Sequence, residues 1–423
     1  MKILITNTGP WGTGSGTVAD AVMQELLLRG HEVIAFFPDL GLPGNDYDKY
    51  YSNKERYRIV PFPAEYNGVE LYTFPLIISD PNPRNYSHAW TFRDLTEVQL
   101  QAYFGYMKQE LTKVIAEFQP DVIECQHIWA IDHIVHELGY PFVAVAHHSD
   151  QMGFLYDIRM REYAILSAEN AKYIFAISDY VKSEVVDLYG VSPEKVITVS
   201  NGYNHSVFQP FPVNRTEEMR RLGLEEFEHL PLITFCGKIS KTKGLDVLIR
   251  ANRLIQERKK AVLLILGGGD LKELCEEIPD EYSMENVVFL GHRSQQELAI
   301  LHNLARMSVL PSRTEGFGIA ALESMGCGIP IVATKVGGLA DFAVGALVEP
   351  EDHVALADAI ISILEMEEDK YIELCSESLS KAREYSWSSI VDTRVKYYEE
   401  IALENQVLSD YDDDRCVLEC SSF

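Results

Sequence analysis

The run Glu315-Gly316-Phe317-Gly318-Ile319-Ala320-Ala321-Leu322-Glu323 sets two carboxylates on either side of a glycine-rich turn. Glycines directly after a strand let the chain approach a ligand closely, and a helix that follows turns free N–H groups and its positive dipole end toward an anion. A phosphate fits at that helix start. Glu315 precedes the helix and Glu323 lies about two turns inside it, so the two carboxylates reach different parts of one extended ligand. A carboxylate accepting two vicinal hydroxyls is a natural ribose clamp. The same residues also read as a plain helix start followed by an acid.

A second signal is Gly237-Lys238-Ile239-Ser240-Lys241-Thr242-Lys243-Gly244, expected between a strand and a helix. Cations at a strand's carboxyl end, in the crevice of an open sheet, suit a diphosphate, although a lysine-bearing turn can simply face water. A third is Gly12-Thr13-Gly14-Ser15-Gly16, with Asp39 further on; it is similar to a dinucleotide-binding loop but lacks the full spacing. Gly267-Gly268-Gly269-Asp270 reads as a tight turn. His127 follows one apolar run, and His147 and His148, beside Ser149 and Asp150, follow another. Strand ends are where open α/β sheets place ligands, so these imidazoles suit contacts to hydroxyls; they also read as hydrogen-bonded histidines of a sheet edge. Held on separate strands, they predict no metal shell.

Such residues need elements to position them, and the chain is long enough to supply two sets. Its 423 residues exceed what one core usually supports; 47% are hydrophobic and 24% charged, an ordinary globular balance. The net charge of -27 repels polyphosphate chains and argues against nucleic acid as a partner. The seven cysteines are odd in number and mostly dispersed in apolar surroundings, which predicts reduced thiols and a cytoplasmic location. Cys416 and Cys420 lie in an acidic tail without further partners at zinc spacing. No apolar stretch approaches the length of a signal or membrane segment, so no stable membrane insertion is expected.

Short β-branched or aromatic runs at Ile3 to Thr6, from Glu32, and at Asp121 to Glu124, Phe142 to Ala146, Tyr173 to Ile177 and Lys195 to Val199 alternate with helical lengths, which predicts a parallel sheet. Asn201-Gly202, Pro210 and Pro212 mark a linker. Runs at Leu232 to Cys236, Ala261 to Leu266, Val287 to Leu290, Met307 to Leu310, Ile329 to Ala333 and Ala346 to Val348 then repeat the pattern. The expectation is an α/β protein of two doubly wound, Rossmann-like domains, residues 1–204 and 205–387, with a helix at 388–405 and a disordered acidic tail at 409–423. Residues 40–107 break the alternation and are dense in aromatics, which either pack on one another or form a platform for a ligand.

Taken together, these residues resemble family 4 glycosyltransferases of the GT-B fold, over almost the whole chain. The carboxylate pair matches Glu315 and Glu323, and the basic pair matches Lys238 and Lys243, followed by Gly244-Leu245-Asp246. Further matches are Pro120-Asp121-Val122-Ile123, Val199-Ser200-Asn201-Gly202 and Gly326-Cys327-Gly328-Ile329-Pro330-Ile331-Val332-Ala333. Three departures stand out: Lys238 where arginine is common, Glu124-Cys125-Gln126 followed by His127 where His-x-His is frequent, and Asn204 for a frequent aspartate. Lysine neutralises phosphate but lacks the bidentate fork of arginine.

The resemblance implies two domains facing each other across a cleft, with the helix from Ser388 crossing back to the first. It implies a retaining transfer of a hexose or hexosamine from a nucleotide-diphosphate sugar, UDP-sugar first, to a hydroxyl of a small-molecule or glycan acceptor, without metal or prosthetic group. By the same resemblance Glu315 holds the sugar, Glu323 the ribose, and Lys238 and Lys243 the leaving diphosphate. Leu322 and main-chain N–H groups of Gly316, Phe317, Gly318 and Ile319 assist in donor binding. Gly14, Ser15 and Gly16 close on the phosphates, Gly291, His292 and Arg293 lie where the base binds, and His127 stands beside the reacting sugar. His147, His148, Asp150 and Arg159 are assigned to the acceptor; Arg84, Arg93, Arg159 and Arg161 form a possible pocket for a phosphorylated one. Acidic residues outnumber basic ones in residues 1–204, which favours a soluble acceptor over anionic lipid. A nucleotide-sugar epimerase and a silent nucleotide-sugar-binding module share the architecture and remain alternatives.

Overall fold

A computed structural model describes residues 1–11, 14–41, 47–78, 90–269 and 283–420, with only the backbone described for 47–48 and 405–420. Arg84, Asp270, Cys275, residues Gly12 and Thr13 of the first glycine loop, and the last three residues lie outside that set, as do the side chains of Cys416 and Cys420. The chain divides into two compact units, Met1–Ser200 with the segment from Trp387, and Asn201–Ser386.

The first unit is built on β1 (Lys2–Asn7), β2 (Glu32–Asp39), β3 (Tyr57–Pro61), the hairpin β4 (Ala64–Tyr66) and β5 (Val69–Leu71), then β6 (Val122–Gln126), β7 (Phe142–Ala146), β8 (Tyr173–Ala176) and β9 (Val196–Thr198). Apart from the separate hairpin these form one parallel sheet in the order β3-β2-β1-β6-β7-β8-β9. Strands such as Phe142–Ala146 are buried along their whole length, as expected of a parallel sheet covered on both faces. The strand β3 falls inside the segment where alternation fails in the sequence. Its pattern is obscured because Arg58 and Ile59 are only partly covered at the sheet edge, yet its main chain pairs in register with Ala35 to Asp39.

Most described aromatics of that segment pack on each other. Phe62 meets Phe74, Tyr103 and Tyr106, and Tyr50 and Tyr57 join Trp11 and Phe37. Tyr72, stacked edge-on to Trp90, stays 59% exposed and is the described exception that still offers a ring to solvent.

The second unit carries β10 (Leu232–Cys236), β11 (Val262–Leu266), β12 (Val287–Gly291), β13 (Met307–Leu310), β14 (Ile331–Thr334) and β15 (Gly345–Val348), all parallel, in the order β12-β11-β10-β13-β14-β15. One face packs under the helices Leu245–Arg258 and His353–Leu364, where Leu248, Ile255, Ile360 and Ile361 are buried with Ile233 and Ile265. The other face is closed by Met219, Leu224 and Leu301 against Leu232, Val262 and Leu264.

The last helix, Trp387–Cys420, belongs to the first unit and joins the helix Ser15–Leu28 through Arg29, which reaches Ser388 and Asp392 at 2.8 Å each. It runs on where the acidic composition predicts disorder from residue 409. No glycine or proline occurs between Trp387 and Cys420, so no residue there interrupts a helix once it has started.

Candidate active site

In a doubly wound sheet the ligand crevice opens at the carboxyl ends of the two strands where the order reverses, because the connecting helices diverge to opposite faces there. The second unit reverses between β10 and β13, which end at Cys236 and Leu310. A pocket of about 110 Å³ lies at that point, and Cys236, Lys243, Leu310, Ser312, Glu315 and Ile319 are among its lining.

Two loops meet to form it. Gly244 has φ of 65° and begins the helix Leu245–Arg258; a Cβ there would stand 1.9 Å from the carbonyl oxygen of Pro311. Only glycine brings the lysine loop this close to the chain leaving β13. The Arg313 N–H donates to the Thr242 carbonyl at 2.8 Å, and the Arg313 guanidinium donates to both carboxylate oxygens of Asp246 at 2.8 and 2.7 Å. Glu351 accepts from the same guanidinium. Arg313, which motif reasoning passed over, is the joint between the two loops.

With the loops joined, Lys243 Nζ donates to Glu315 Oε2 at 2.6 Å, and the buried Ser312 hydroxyl lies 3.4 Å from the same oxygen. The helix Ile319–Gly326 starts at Gly318, φ 102°, with no side chain capping its first turn. Its N-terminal N–H groups therefore face the pocket that Ile319 and Ala320 line. Glu323 lies little more than one turn into this helix rather than the expected two, half-buried, and its carboxylate has no hydrogen-bond partner among the described residues. Burial pushes that carboxyl up to about 8.

The predicted residues do not all share this pocket. Lys238 is exposed, one residue past the pocket wall at Gly237. Gly316 accepts from Gly338 N–H at 3.3 Å, while Phe317 is buried against Phe342 and Tyr385 and Leu322 lies in the core, so these last two offer no side chain to a ligand. Gly291, His292 and Arg293 stand two strands from β10, at the end of the edge strand β12, where Arg293 pairs with Glu297 at 3.3 Å.

The first unit reverses between β1 and β6, and its predicted residues gather there. At the end of β1, Asn7 donates to the carbonyls of Gly9 and Pro10 at 3.0 and 3.4 Å and accepts from the Ser15 hydroxyl at 2.9 Å. This clasp fixes the glycine loop; Gly14 is exposed and Gly16 buried. Ser15 thus spends its proton on Asn7.

At the end of β6, His127 takes a φ of 79°, and at the end of β7 His148 takes 73°, a left-handed backbone that non-glycine residues hold only when the surroundings enforce it. The His127 and His147 rings lie 5.1 Å apart. Burial holds His127 below the usual imidazole range, and burial, then His127 and Arg394, hold His147 well below it. Both are neutral near pH 7.

Several residues assigned to the acceptor also make contacts within the fold. Buried Asp150 accepts from the N–H groups of His147 and Ile128 at 2.9 and 3.0 Å, and His148 Nδ1 pairs with Glu184 at 2.7 Å. Arg159 donates to the carbonyls of Leu95 and Phe92 at 2.9 and 2.6 Å, and Arg161 to that of Phe154 at 2.8 Å. Arg93 lies over the Tyr156 ring. Each of these three guanidiniums has a local partner, and Arg84, the fourth of the expected pocket, lies outside the described residues.

Among the described residues no helix is long and apolar enough to cross a membrane, and no group of three or more metal-ligating side chains is assembled.

Residues 216–383 match the family described as Glycosyl transferases group 1, and residues 12–207 match Glycosyltransferase Family 4. An uncharacterized glycosyltransferase of Methanocaldococcus jannaschii is 29% identical over 365 residues, 80% of this chain and 91% of the relative. A D-inositol 3-phosphate glycosyltransferase of Corynebacterium aurimucosum is 30% identical over 234 residues, covering 52% of this chain and only about half, 55%, of that relative. Among solved structures, sucrose-phosphate synthase of Thermosynechococcus elongatus aligns with a TM-score of 0.70 at 18% identity, over 95% of this chain and 99% of its own. HepE of Anabaena, in complex with UDP and glucose, aligns with a TM-score of 0.72 at 16% identity, over 95% and 100%. At such identities the likeness is one of fold, the two-domain GT-B architecture.

Proposed function

Because this chain belongs to glycosyltransferase family 4, we propose that it transfers a hexose or hexosamine, with retention of configuration, from a nucleoside-diphosphate sugar to a hydroxyl of a soluble acceptor. The observation that carries this reading is the pocket at the β10/β13 reversal, where the Lys243–Glu315 pair faces an uncapped helix start. UDP is the first donor nucleotide to try, since HepE is a fold neighbour solved with UDP-glucose.

In this reading the diphosphate lies between Lys243, Lys238 and the N–H groups at the start of the helix Ile319–Gly326. The bond from the anomeric carbon to the β-phosphate oxygen breaks, and negative charge grows on that phosphate while the sugar becomes oxocarbenium-like. Preorganised cations and N–H donors stabilise that charge more than the ground state. The acceptor oxygen bonds to the anomeric carbon on the face the phosphate leaves, and its proton passes to the departing phosphate oxygen. Glu315, already anchored by Lys243, receives the sugar hydroxyls, and Glu323 the ribose diol. His127, kept neutral, hydrogen-bonds near the reacting sugar. In this reading the transfer takes place in the cytoplasm, a placement supported by the odd number and apolar surroundings of the cysteines.

The test is the stereochemistry of the product. With α-linked nucleotide sugars and a panel of polyols, sugar phosphates and inositol phosphates as acceptors, proton NMR of the new linkage is expected to show the α configuration. A β linkage would refute the retaining reading.

A further inference from the structure

The strand β6 carries Glu124 and Gln126 on one face, two residues apart, and both are fully buried. Glu124 is met there by Arg394 and Tyr398 of the helix Trp387–Cys420. Arg394 Nη1 lies 2.8 Å from both carboxylate oxygens, and the Tyr398 hydroxyl donates to one of them. Burying such a pair stabilises a fold little, because the lost hydration of two ions consumes the attraction between them, and apolar residues of like volume serve as well. What the pair does provide is a fixed charge at a fixed place.

That charge has a directional consequence. A carboxylate accepts and cannot donate, so the Gln126 amide must turn its NH2 toward it, and Nε2 lies 2.6 Å from Glu124 Oε1. The amide oxygen is then aimed the other way, 2.7 Å from His147 Nε2. An oxygen at that distance demands a proton on Nε2. In a neutral imidazole the other nitrogen, Nδ1, is left as a lone-pair acceptor, and it has no partner among the described residues. It stands beside His127 at the β1/β6 reversal of the first unit.

We propose that Glu124, clamped by Arg394 and Tyr398 of the C-terminal helix, is a positioning residue that fixes the Gln126 amide and thereby the Nε2–H tautomer of His147, whose Nδ1 accepts a hydrogen bond from a hydroxyl of the acceptor substrate and so orients it, the reacting proton still passing to the departing phosphate. The last step rests on the transferase reading; the tautomer does not. Glu124 and Gln126 thus stand where relatives in this family often carry histidine, and the hydrogen-bonding role moves to His147 on the neighbouring strand.

The test uses the full chain labelled with 15N-histidine, the His147 signals being assigned by their loss in His147→Gln. Near pH 7 the wild type is expected to show a protonated Nε2 and a bare Nδ1. Glu124→Gln leaves Arg394 buried without a counter-ion and can fail to fold, so the informative variant is the volume-matched pair Glu124→Leu with Arg394→Met. This variant is expected to fold, to show both tautomers, and to lose about 10- to 100-fold in kcat with little change in KM for the nucleotide sugar. A wild type protonated on Nδ1 overturns the proposal, and so does a double variant that keeps the wild-type nitrogen pattern or the full kcat. A wild type that shows the expected nitrogen pattern but transfers no sugar refutes the transferase reading alone.

Discussion

Glu323 is a carboxyl at odds with its surroundings: it is half-buried and lacks a hydrogen-bond partner among the described residues, and burial pushes it up to about 8. Burial penalises the ionised form, so below about that value the free protein holds it protonated. A ribose diol donates two hydrogen bonds and so favours the carboxylate. Donor binding should therefore release a proton, and affinity should rise as pH climbs from about 6 to 8. Calorimetry at pH 7 in buffers of different ionisation enthalpy checks this: the proton release should vanish in Glu323→Gln. The same shift acts on folding with the opposite slope. The folded state binds this proton more tightly than the unfolded one, so the Glu323 contribution to stability is present below the ordinary carboxyl range and lost as pH rises through 8.

At the scale of elements, each unit aims its residues with the same device, loops at a strand-order reversal, and the sequence discloses that device unevenly. The paired carboxylates, the lysine loop and the βαβ alternation were legible because each is local: periodicity and glycine placement lie within a dozen residues. The joint between the loops was not, since Arg313 and Asp246 are far apart in the chain and a solvated arginine has the same local pattern. Strand β3 was missed because edge exposure blurred its pattern, and the fate of Arg159 depends on carbonyls of a distant turn. Arg313→Ala removes charge-assisted bonds of about 1.5 to 3 kcal/mol at a partly exposed site, and screening there puts the expected loss at the lower end. Thermal denaturation should show the modest loss, and donor KM should rise more than kcat falls, because the loops separate while the reacting groups remain. An unchanged KM would mean the loops hold without the joint.

For the whole molecule, the C-terminal helix belongs to the first unit although it follows the second in the chain. Its segment through Tyr398 supplies the partners of a buried charge. Removing everything after Ser386 strips Arg394 from Glu124, and leaving one member of a buried pair alone costs about 3 to 5 kcal/mol. Circular dichroism on heating measures the loss against the full chain, and equal stability would remove the helix from the account of the fold. The central claim, that the pocket at the β10/β13 reversal binds a nucleotide sugar, is tested most directly by calorimetric titration of UDP-, ADP- and GDP-sugars into the wild type and Glu323→Ala. Tight binding of one of them to the wild type, weakened in the variant, is the predicted result. No binding of any, or equal binding to both proteins, would contradict it.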